Sequence, residues 1–119
     1  MSKYSDLVVW QKSMDIVETV YKLTKLLPKE ETYGLCSQMR RAAISIPSNI
    51  AEGQQRRTVK DFVNFLYIAK ASNAELKTQI LICGRLNYLP EELCGKTVRE
   101  PETISKMLTK MINKLSENK

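Results

Sequence analysis

The stretch that decides the fold is Gln38-Met-Arg-Arg-Ala-Ala-Ile-Ser-Ile-Pro-Ser-Asn-Ile-Ala-Glu-Gly53. Its apolar residues recur every three or four positions, which predicts one buried face of an α-helix. Pro47 lies in the middle of this helix and has no N–H, so the carbonyl of Ala43 loses its usual partner. We therefore expect a kink near Pro47, with Ser45 or Asn49 forming a hydrogen bond to the backbone there.

Three further segments show the same helical periodicity, and the chain has few glycines and prolines. Amphipathic helices joined by short connections are typical of an up-down-up-down bundle. The sequence therefore predicts an all-α, four-helix-bundle domain over residues 1–119. The expected helices cover about 6–27, 34–52, 58–87 and 102–115. Gly95 and Pro101 interrupt the segment before the last helix, so its start is left open.

Particular residues mark the expected helix ends. Ser5 or Asp6 can cap the first helix. Gly53 is expected to end the second helix, since glycine often follows the last turn. Thr58 opens the third helix, and Asp61 three positions later approximates a capping box.

The composition excludes several kinds of chemistry. Of 119 residues, 43% are apolar and 27% charged, and 19 Lys and Arg against 13 Asp and Glu give a formal charge of +6. This excess favours anionic partners such as RNA or DNA, although a solvated surface explains it equally well. The chain has no histidine, which removes the usual zinc pattern and any Ser-His or Cys-His nucleophile. We expect no enzyme activity, no cofactor and no metal.

The cysteines and the apolar runs bear on the cellular location. Cys36, Cys83 and Cys94 are odd in number and lack CxxC spacing, so we interpret them as small buried hydrophobes and not as a disulfide framework. The N-terminal residues lack a cleavable apolar segment. No run approaches the ~18–20 apolar residues of a membrane span. The expected location is the cytoplasm, without a membrane partner.

Two arginine pairs are the best candidates for phosphate contacts, because a guanidinium group matches phosphate oxygens. One pair lies at the expected turn between helices 2 and 3, with a lysine beside it, and a solvated loop explains this group equally well. In the other pair, Arg41 is as well explained by a fixed acidic partner such as Glu75. The predicted nucleic-acid-binding residues are Arg56, Arg57, Lys60, Arg40 and Arg41.

A group of polar residues lies mainly on one face of helix 2. Such side chains can satisfy a kinked helix and one another, so we favour a structural role over a ligand site. The antiparallel pairing of helices 2 and 3 is expected to place Asn73 opposite Gln38. It also separates Glu52 from Glu75, which excludes a di-metal carboxylate site. The predicted structural cluster comprises Gln38, Ser45, Pro47, Ser48, Asn49, Glu52, Asn73 and Glu75.

The aromatic side chains have two interpretations. Trp10, Tyr21 and Tyr67 lie at helical spacing, where core or subunit contacts are more common than stacking on bases. Tyr33 and Tyr88 lie at expected helix ends, where one edge of the ring can stay wet.

Some apolar residues lie off the expected core stripes and indicate self-assembly. A large exposed apolar patch usually marks an interface. We therefore expect a stable homo-oligomer. The residues concerned are Tyr67, Ile68 and Leu81 in helix 3, with Val8 and Val9 in helix 1.

Several motifs together resemble one known family. They are Asp6-Leu-Val-Val-Trp10-Gln-Lys, Tyr33-Gly-Leu35, Gln38-Met-Arg-Arg-Ala-Ala, Ser45-Ile-Pro-Ser-Asn-Ile-Ala-Glu-Gly53 and Ala71-Ser-Asn-Ala-Glu75-Leu. With these motifs the chain resembles, from Tyr4 to Leu115, the four-helix-bundle family of 23S ribosomal RNA intervening-sequence proteins. It departs from that pattern between Gly95 and Glu102, where an uninterrupted acidic helix would be more usual.

The resemblance implies a bacterial origin, a four-helix bundle and a ring-like homopentamer, and it implies no enzyme activity. Relatives include proteins encoded within insertions in ribosomal RNA genes. A distant relative is the accessory protein of diversity-generating retroelements, which binds nucleic acid and a reverse transcriptase. We therefore expect a non-enzymatic oligomeric bundle that binds structured RNA or DNA through a basic surface. The alternative is a homo-oligomeric protein-interaction scaffold with no direct role on nucleic acid.

Overall fold

The helical periodicity corresponds to four long antiparallel helices and one short helix. The computed structural model describes residues 7–117. The all-α bundle predicted from the sequence is confirmed, and a 3₁₀ turn at Lys29–Glu31 follows the first helix. None of the helices in the described range is long and apolar enough to cross a membrane. The helices are α1 (Val8–Thr24), α2 (Leu35–Gln54), α3 (Val59–Arg85), α4 (Glu91–Thr97) and α5 (Arg99–Glu117).

The four long helices enclose one continuous apolar core. α1 packs on α2, α2 on α3 and α3 on α5, and α5 also contacts α1. The molecule is elongated, with extents of 47 × 23 × 20 Å. Full burial of an aliphatic side chain contributes roughly 1.5–3 kcal/mol, so these stripes supply most of the driving force for folding. The fully buried side chains include Ile16, Met39, Ile46, Ile50, Leu66, Leu76, Ile80, Ile104 and Leu108.

The helix that contains Pro47 is continuous from Leu35 to Gln54, and the proline ring is buried. Asn49 Nδ2 donates to the Ser45 carbonyl at 2.8 Å and to Ser45 Oγ at 2.9 Å. The predicted side-chain bond to the backbone is therefore confirmed for Asn49. Its acceptor is the carbonyl of Ser45 and not the Ala43 carbonyl that the proline leaves free. The kink near Pro47 stays a prediction.

Gly53 does not end α2, as we had expected, but lies buried inside it. A Cβ atom at this position would lie 2.7 Å from Phe65 Cβ and 2.9 Å from Phe62 Cδ1. The absent side chain therefore allows α2 and α3 to approach each other closely just before the turn that joins them.

The first helix is shorter than predicted at its C-terminal end. α1 ends at Thr24, and the chain continues in a tighter turn in which the Leu27 N–H donates to the Thr24 carbonyl at 3.3 Å. Such i to i+3 bonds commonly close a helix. Leu7 precedes α1 in an extended conformation without a side-chain cap. The predicted caps, Ser5 and Asp6, lie outside the described residues.

The later helix ends include one confirmed cap and one correction. Thr58 caps α3 as predicted, and its Oγ1 accepts a hydrogen bond from the Asp61 N–H at 3.1 Å. α5 begins at Arg99, earlier than expected, because Pro101 lies in its first turn, where the missing N–H breaks no bond within the helix. Gly95 lies within the short helix α4 and does not prevent it from forming.

The register of α2 against α3 differs from the predicted one. Ser45 Oγ lies 2.8 Å from Ser72 Oγ, and Cys83 Sγ lies 3.6 Å from Met39 Sδ. These contacts shift the pairing several residues along α3 relative to the expected one.

Candidate functional site: a cationic cleft between α1 and α2

The predicted basic residues lie at opposite ends of α2. Arg40 and Arg41 are in its second turn, whereas Arg56 and Arg57 follow its last residue. Sixteen positions separate the two pairs, which corresponds to about 24 Å at ~1.5 Å per helical residue. The arginines therefore form two separate surfaces.

The surface at the α2–α3 turn is partly neutralised. Arg56 Nη2 lies 2.8 Å from Glu52 Oε2, and the guanidinium carbon lies 4.7 Å from the centroid of the Phe65 ring. Arg57 and Lys60 are exposed. Arg56 thus has an acidic partner in α2, while Arg57 and Lys60 are the more exposed cations of this turn.

The second surface, formed by Arg40 and Arg41, borders an open cleft of about 530 Å³. This cleft lies between the last turn of α1, the 3₁₀ turn and the first turns of α2, and we call it the cationic cleft. Among the described residues, its lining contains no carboxylate. Its charged and aromatic lining residues are Lys25, Lys29, Arg40, Arg41, Tyr21 and Tyr33.

Arg40 is held in place by two contacts with α1. Its Nε donates to Thr24 Oγ1 at 2.8 Å, and its guanidinium carbon lies 4.3 Å from the centroid of the Tyr21 ring. Thr24 in turn donates to the Val20 carbonyl at 2.9 Å. Within residues 7–117 the two terminal Nη groups of Arg40 have no hydrogen bond or ion pair. The guanidinium is therefore positioned, with donors left for a ligand.

One of the two glutamates in the turn beside the cleft, Glu31, is engaged elsewhere. Glu31 Oε1 accepts from the Leu35 N–H at 3.0 Å, and its Oε2 accepts from the Tyr88 hydroxyl at 2.8 Å. These two bonds, that from Leu35 first, lower the pKa of Glu31 below its ordinary value. The same carboxylate raises the pKa of Tyr88. Glu31 thus caps α2 and ties it to the α3–α4 connection.

The thiols offer no activated nucleophile. Burial raises the pKa of Cys36, which lines the cleft, and that of Cys94, and it raises the pKa of Cys83 to about 11. A protonated thiol is a poor nucleophile and a poor metal ligand. No group of three or more His, Cys, Asp or Glu side chains in the described range could hold a metal ion. The cleft therefore offers charge and hydrogen bonding.

The residues of the predicted polar cluster do not form one group. Ser45 contacts Ser72 and Asn49, as described above, which makes a small bridge between α2 and α3. Glu52 pairs with Arg56 instead, and Ser48 is exposed.

The α3 members of the predicted cluster lie on two sides of that helix. Asn73 was expected opposite Gln38, but its Nδ2 donates to the Pro101 carbonyl of α5 at 2.7 Å. Gln38, Arg41 and Glu75 line a second cavity, of about 320 Å³. No ion pair joins Arg41 to Glu75 within the described part of the chain.

Two lysines of the cleft were not predicted as site residues, and one tyrosine was predicted only to lie at a helix end. Lys25 and Lys29 flank the turn after α1, and Tyr33 is 95% exposed beside them. The predicted antiparallel arrangement of helices 1 and 2 could have indicated that these residues lie beside Arg40 and Arg41. It brings the end of one helix beside the start of the next.

Comparison with known proteins agrees with this fold. Among solved structures, the chain is similar to a crystal structure of a protein with unknown function from the S23 ribosomal protein family of Bacteroides thetaiotaomicron, with a TM-score of 0.81 and 28% sequence identity. The alignment covers 88% of this chain and 98% of that chain. No match is found among curated proteins. Neither this neighbour's description nor the family's names an enzymatic activity. Because residues 5–110 match the family described as 23S rRNA-intervening sequence protein, the chain belongs to that family.

Proposed function

We propose that this protein is a non-enzymatic, homo-oligomeric bundle that binds nucleic acid through the cationic cleft. The observation that carries the proposal is the lining of that cleft, which combines four cations and an open tyrosine without a carboxylate among the described residues. The family description, which refers to 23S rRNA, supports RNA as the first ligand to test.

The four cations differ in what they can contribute. Arg40 is fixed by Thr24 and Tyr21, so little side-chain entropy is lost when its free Nη groups meet a phosphate. Arg41, Lys25 and Lys29 are exposed, in contrast to the half-buried Arg40. They add charge and release counterions from the nucleic acid, which makes affinity depend on salt.

The α2–α3 turn supplies a second set of phosphate contacts in this proposal. Arg57 and Lys60 are the exposed cations of this turn, and Arg56 contributes less because it is paired with Glu52. The two surfaces lie at opposite ends of α2, so a long polyanion is needed to reach both. In a closed oligomer each surface is repeated, which raises the avidity for such a polyanion.

The proposed assembly rests on an exposed apolar stripe along α3. Tyr67, Ile68 and Leu81 are exposed by 54%, 47% and 45%, and the small residues Ala71 and Ala74, which lie between them in the sequence, are exposed as well. Apolar surface of this kind favours contact with another chain. A pentamer is what the family resemblance implies.

In α1 the two valines that were expected to join this surface differ in their exposure to solvent. Val8 is 57% exposed, whereas Val9 is 4% exposed and belongs to the core. Val9 is therefore a correction, because it is buried in the apolar core instead of facing outward.

The test compares three double variants that each remove two positive charges. Lys29→Gln with Arg41→Gln alters the cleft, and Arg57→Gln with Lys60→Gln alters the turn. The control, Lys110→Gln with Lys114→Gln, changes exposed residues near the far end of α5. Binding to a structured RNA is titrated from about 50 to 200 mM salt, and we expect the cleft variant to flatten the log–log slope by roughly 0.7–0.9 per lost contact.

The possible results separate the two functions that the sequence left open. A cleft variant that weakens RNA binding well beyond the Lys110 and Lys114 control supports the proposal. If the control weakens binding equally, the affinity reflects net charge and the cleft is not the site. If the wild-type protein shows no binding at about 50 mM salt, the protein-interaction scaffold becomes the better account.

A further inference from the structure

The two tyrosines of the cationic cleft differ in how far their rings are covered by other side chains. The ring of Tyr21 is covered on one face by the Arg40 guanidinium at 4.3 Å. Tyr33 is 95% exposed, the highest value among the exposed large apolar side chains of residues 7–117. A ring this exposed contributes almost nothing to the core, so packing does not explain an aromatic residue at this position.

The charged residues around Tyr33 limit the kind of ligand that can stack on its ring. Lys29 precedes it across the 3₁₀ turn, and Arg40 and Arg41 line the same cleft from α2. A flat ring beside several cations suits a ligand that has both an aromatic face and negative charge. A nucleotide has both, since every base presents a π face and every phosphate presents anionic oxygens.

We propose that the cleft binds an unpaired nucleotide of a single-stranded segment, with its base stacked on Tyr33 and its phosphate held by Arg40 and Arg41. This inference rests on the proposed nucleic-acid function and specifies which part of the nucleic acid enters the site. The cleft volume of about 530 Å³ is sufficient, since it lies within the range of pockets that enclose small ligands.

Stacking on Tyr33 distinguishes unpaired from paired nucleotides. In a continuous duplex both faces of each base are covered by neighbouring base pairs, so an external ring has no free face to contact. A duplex can still place its phosphates against Lys25, Lys29 and Arg41. We therefore expect duplex binding to be weaker and purely electrostatic. The loss of one base–aromatic stack corresponds to roughly a 5- to 100-fold drop in affinity.

The test uses the full chain with two labelled probes of equal nucleotide number and base content, an unstructured single strand and a blunt-ended duplex without unpaired nucleotides. Three substitutions at one exposed position are compared. Tyr33→Phe keeps the ring, Tyr33→Leu keeps apolar area without a ring, and Tyr33→Ala removes both. Because Tyr33 is so exposed, none of these changes should affect folding, and Leu26→Ala, at an exposed residue of the same turn, controls for general surface effects.

We expect Tyr33→Ala and Tyr33→Leu to weaken single-strand binding by roughly 5- to 100-fold, with Tyr33→Phe and Leu26→Ala near wild type and duplex binding unchanged. A second measurement uses Tyr33→Trp, whose added fluorescence over the Trp10 background should be quenched by the single strand and not by the duplex.

The failure of this inference can be told from the failure of the proposed function. If Tyr33→Ala binds the single strand like wild type while the Lys29 and Arg41 double variant does not, stacking is excluded and the cationic cleft remains. Equal wild-type affinity for both probes also excludes it. If neither probe binds at about 50 mM salt, both proposals fall, and an acidic protein partner becomes the better explanation of the cations.

Discussion

Arg40 Nε donates a hydrogen bond to Thr24 Oγ1 at 2.8 Å, and this bond joins the start of α2 to the last turn of α1. Thr24 is only 3% exposed, and its own hydroxyl hydrogen is directed at the Val20 carbonyl. A buried hydroxyl thus determines where a half-buried guanidinium lies. The same bond serves stability and the geometry of the cleft.

Removing that hydroxyl should affect both properties. Thr24→Val keeps the shape of the side chain but leaves Arg40 without its acceptor. A hydrogen bond to a charged group contributes roughly 1.5–3 kcal/mol, so we expect a loss of about 1–2 kcal/mol in the free energy of unfolding because Arg40 can partly rehydrate. RNA affinity should also fall, since the guanidinium is no longer positioned. Urea denaturation and RNA titration measure the two effects.

Thr19→Val is the matched control for this prediction. Thr19 is in the same helix and donates to the Asp15 carbonyl at 3.3 Å, but within residues 7–117 it has no arginine partner. Its substitution should leave RNA binding unchanged and cost little stability. Equal losses from Thr19→Val and Thr24→Val would show that the Arg40 contact contributes nothing specific.

The helices could be predicted from sequence because the information that determines them is local. The apolar stripe from Met39 to Ile50 and the cap formed by Thr58 depend only on residues within a few turns of one another. Gly53 was assigned the wrong role because its function depends on Phe62 and Phe65 in another helix, and composition alone does not place those rings.

The cleft was harder to predict for the same reason. Lys25 and Lys29 are separated from Arg40 and Arg41 by a turn whose path decides whether the four cations converge. The sequence indicated arginine pairs but favoured the α2–α3 turn. Glu52 and Arg56 lie four positions apart, the spacing that favours an ion pair on a helix, but the helix was expected to end between them.

Gly53 provides a test of close helix packing. Gly53→Ala would place a methyl group 2.7 Å from Phe65 Cβ, so we expect a net destabilisation of about 1–3 kcal/mol even though alanine favours helices. Gly95→Ala is the control, because a Cβ at Gly95 meets nothing within 4 Å. That variant should be neutral or stabilised by up to about 1 kcal/mol. Thermal denaturation measures the melting temperatures of the two variants and of the wild type. A Gly53→Ala protein as stable as wild type would contradict the packing argument.

The bond between Tyr88 and Glu31 should make stability depend on pH. The pKa of Glu31 is lowered in the folded protein, so its contribution is present above the ordinary value of 4.5 and is lost as the pH falls through the folded pKa. Tyr88→Phe removes the hydroxyl donor and should lower the melting temperature at neutral pH. Below the folded pKa of Glu31 the carboxylate is protonated, and the difference from wild type should shrink. A difference that is constant with pH would show that the hydroxyl does not act through this carboxylate.

The apolar stripe on α3 provides a test of assembly. Light scattering of the wild-type protein at micromolar concentration should give a mass several times that of one 13.7 kDa chain. Ile68→Glu places a charge on the stripe, where burial without a partner costs several kcal/mol, and should reduce that mass. Leu26→Glu introduces the same charge at an apolar side chain that is 64% exposed outside α3, and should leave the mass unchanged. Circular dichroism verifies that both variants stay helical. A wild-type mass of one chain would exclude the oligomer, and an Ile68→Glu protein that assembles normally would place the interface on another face.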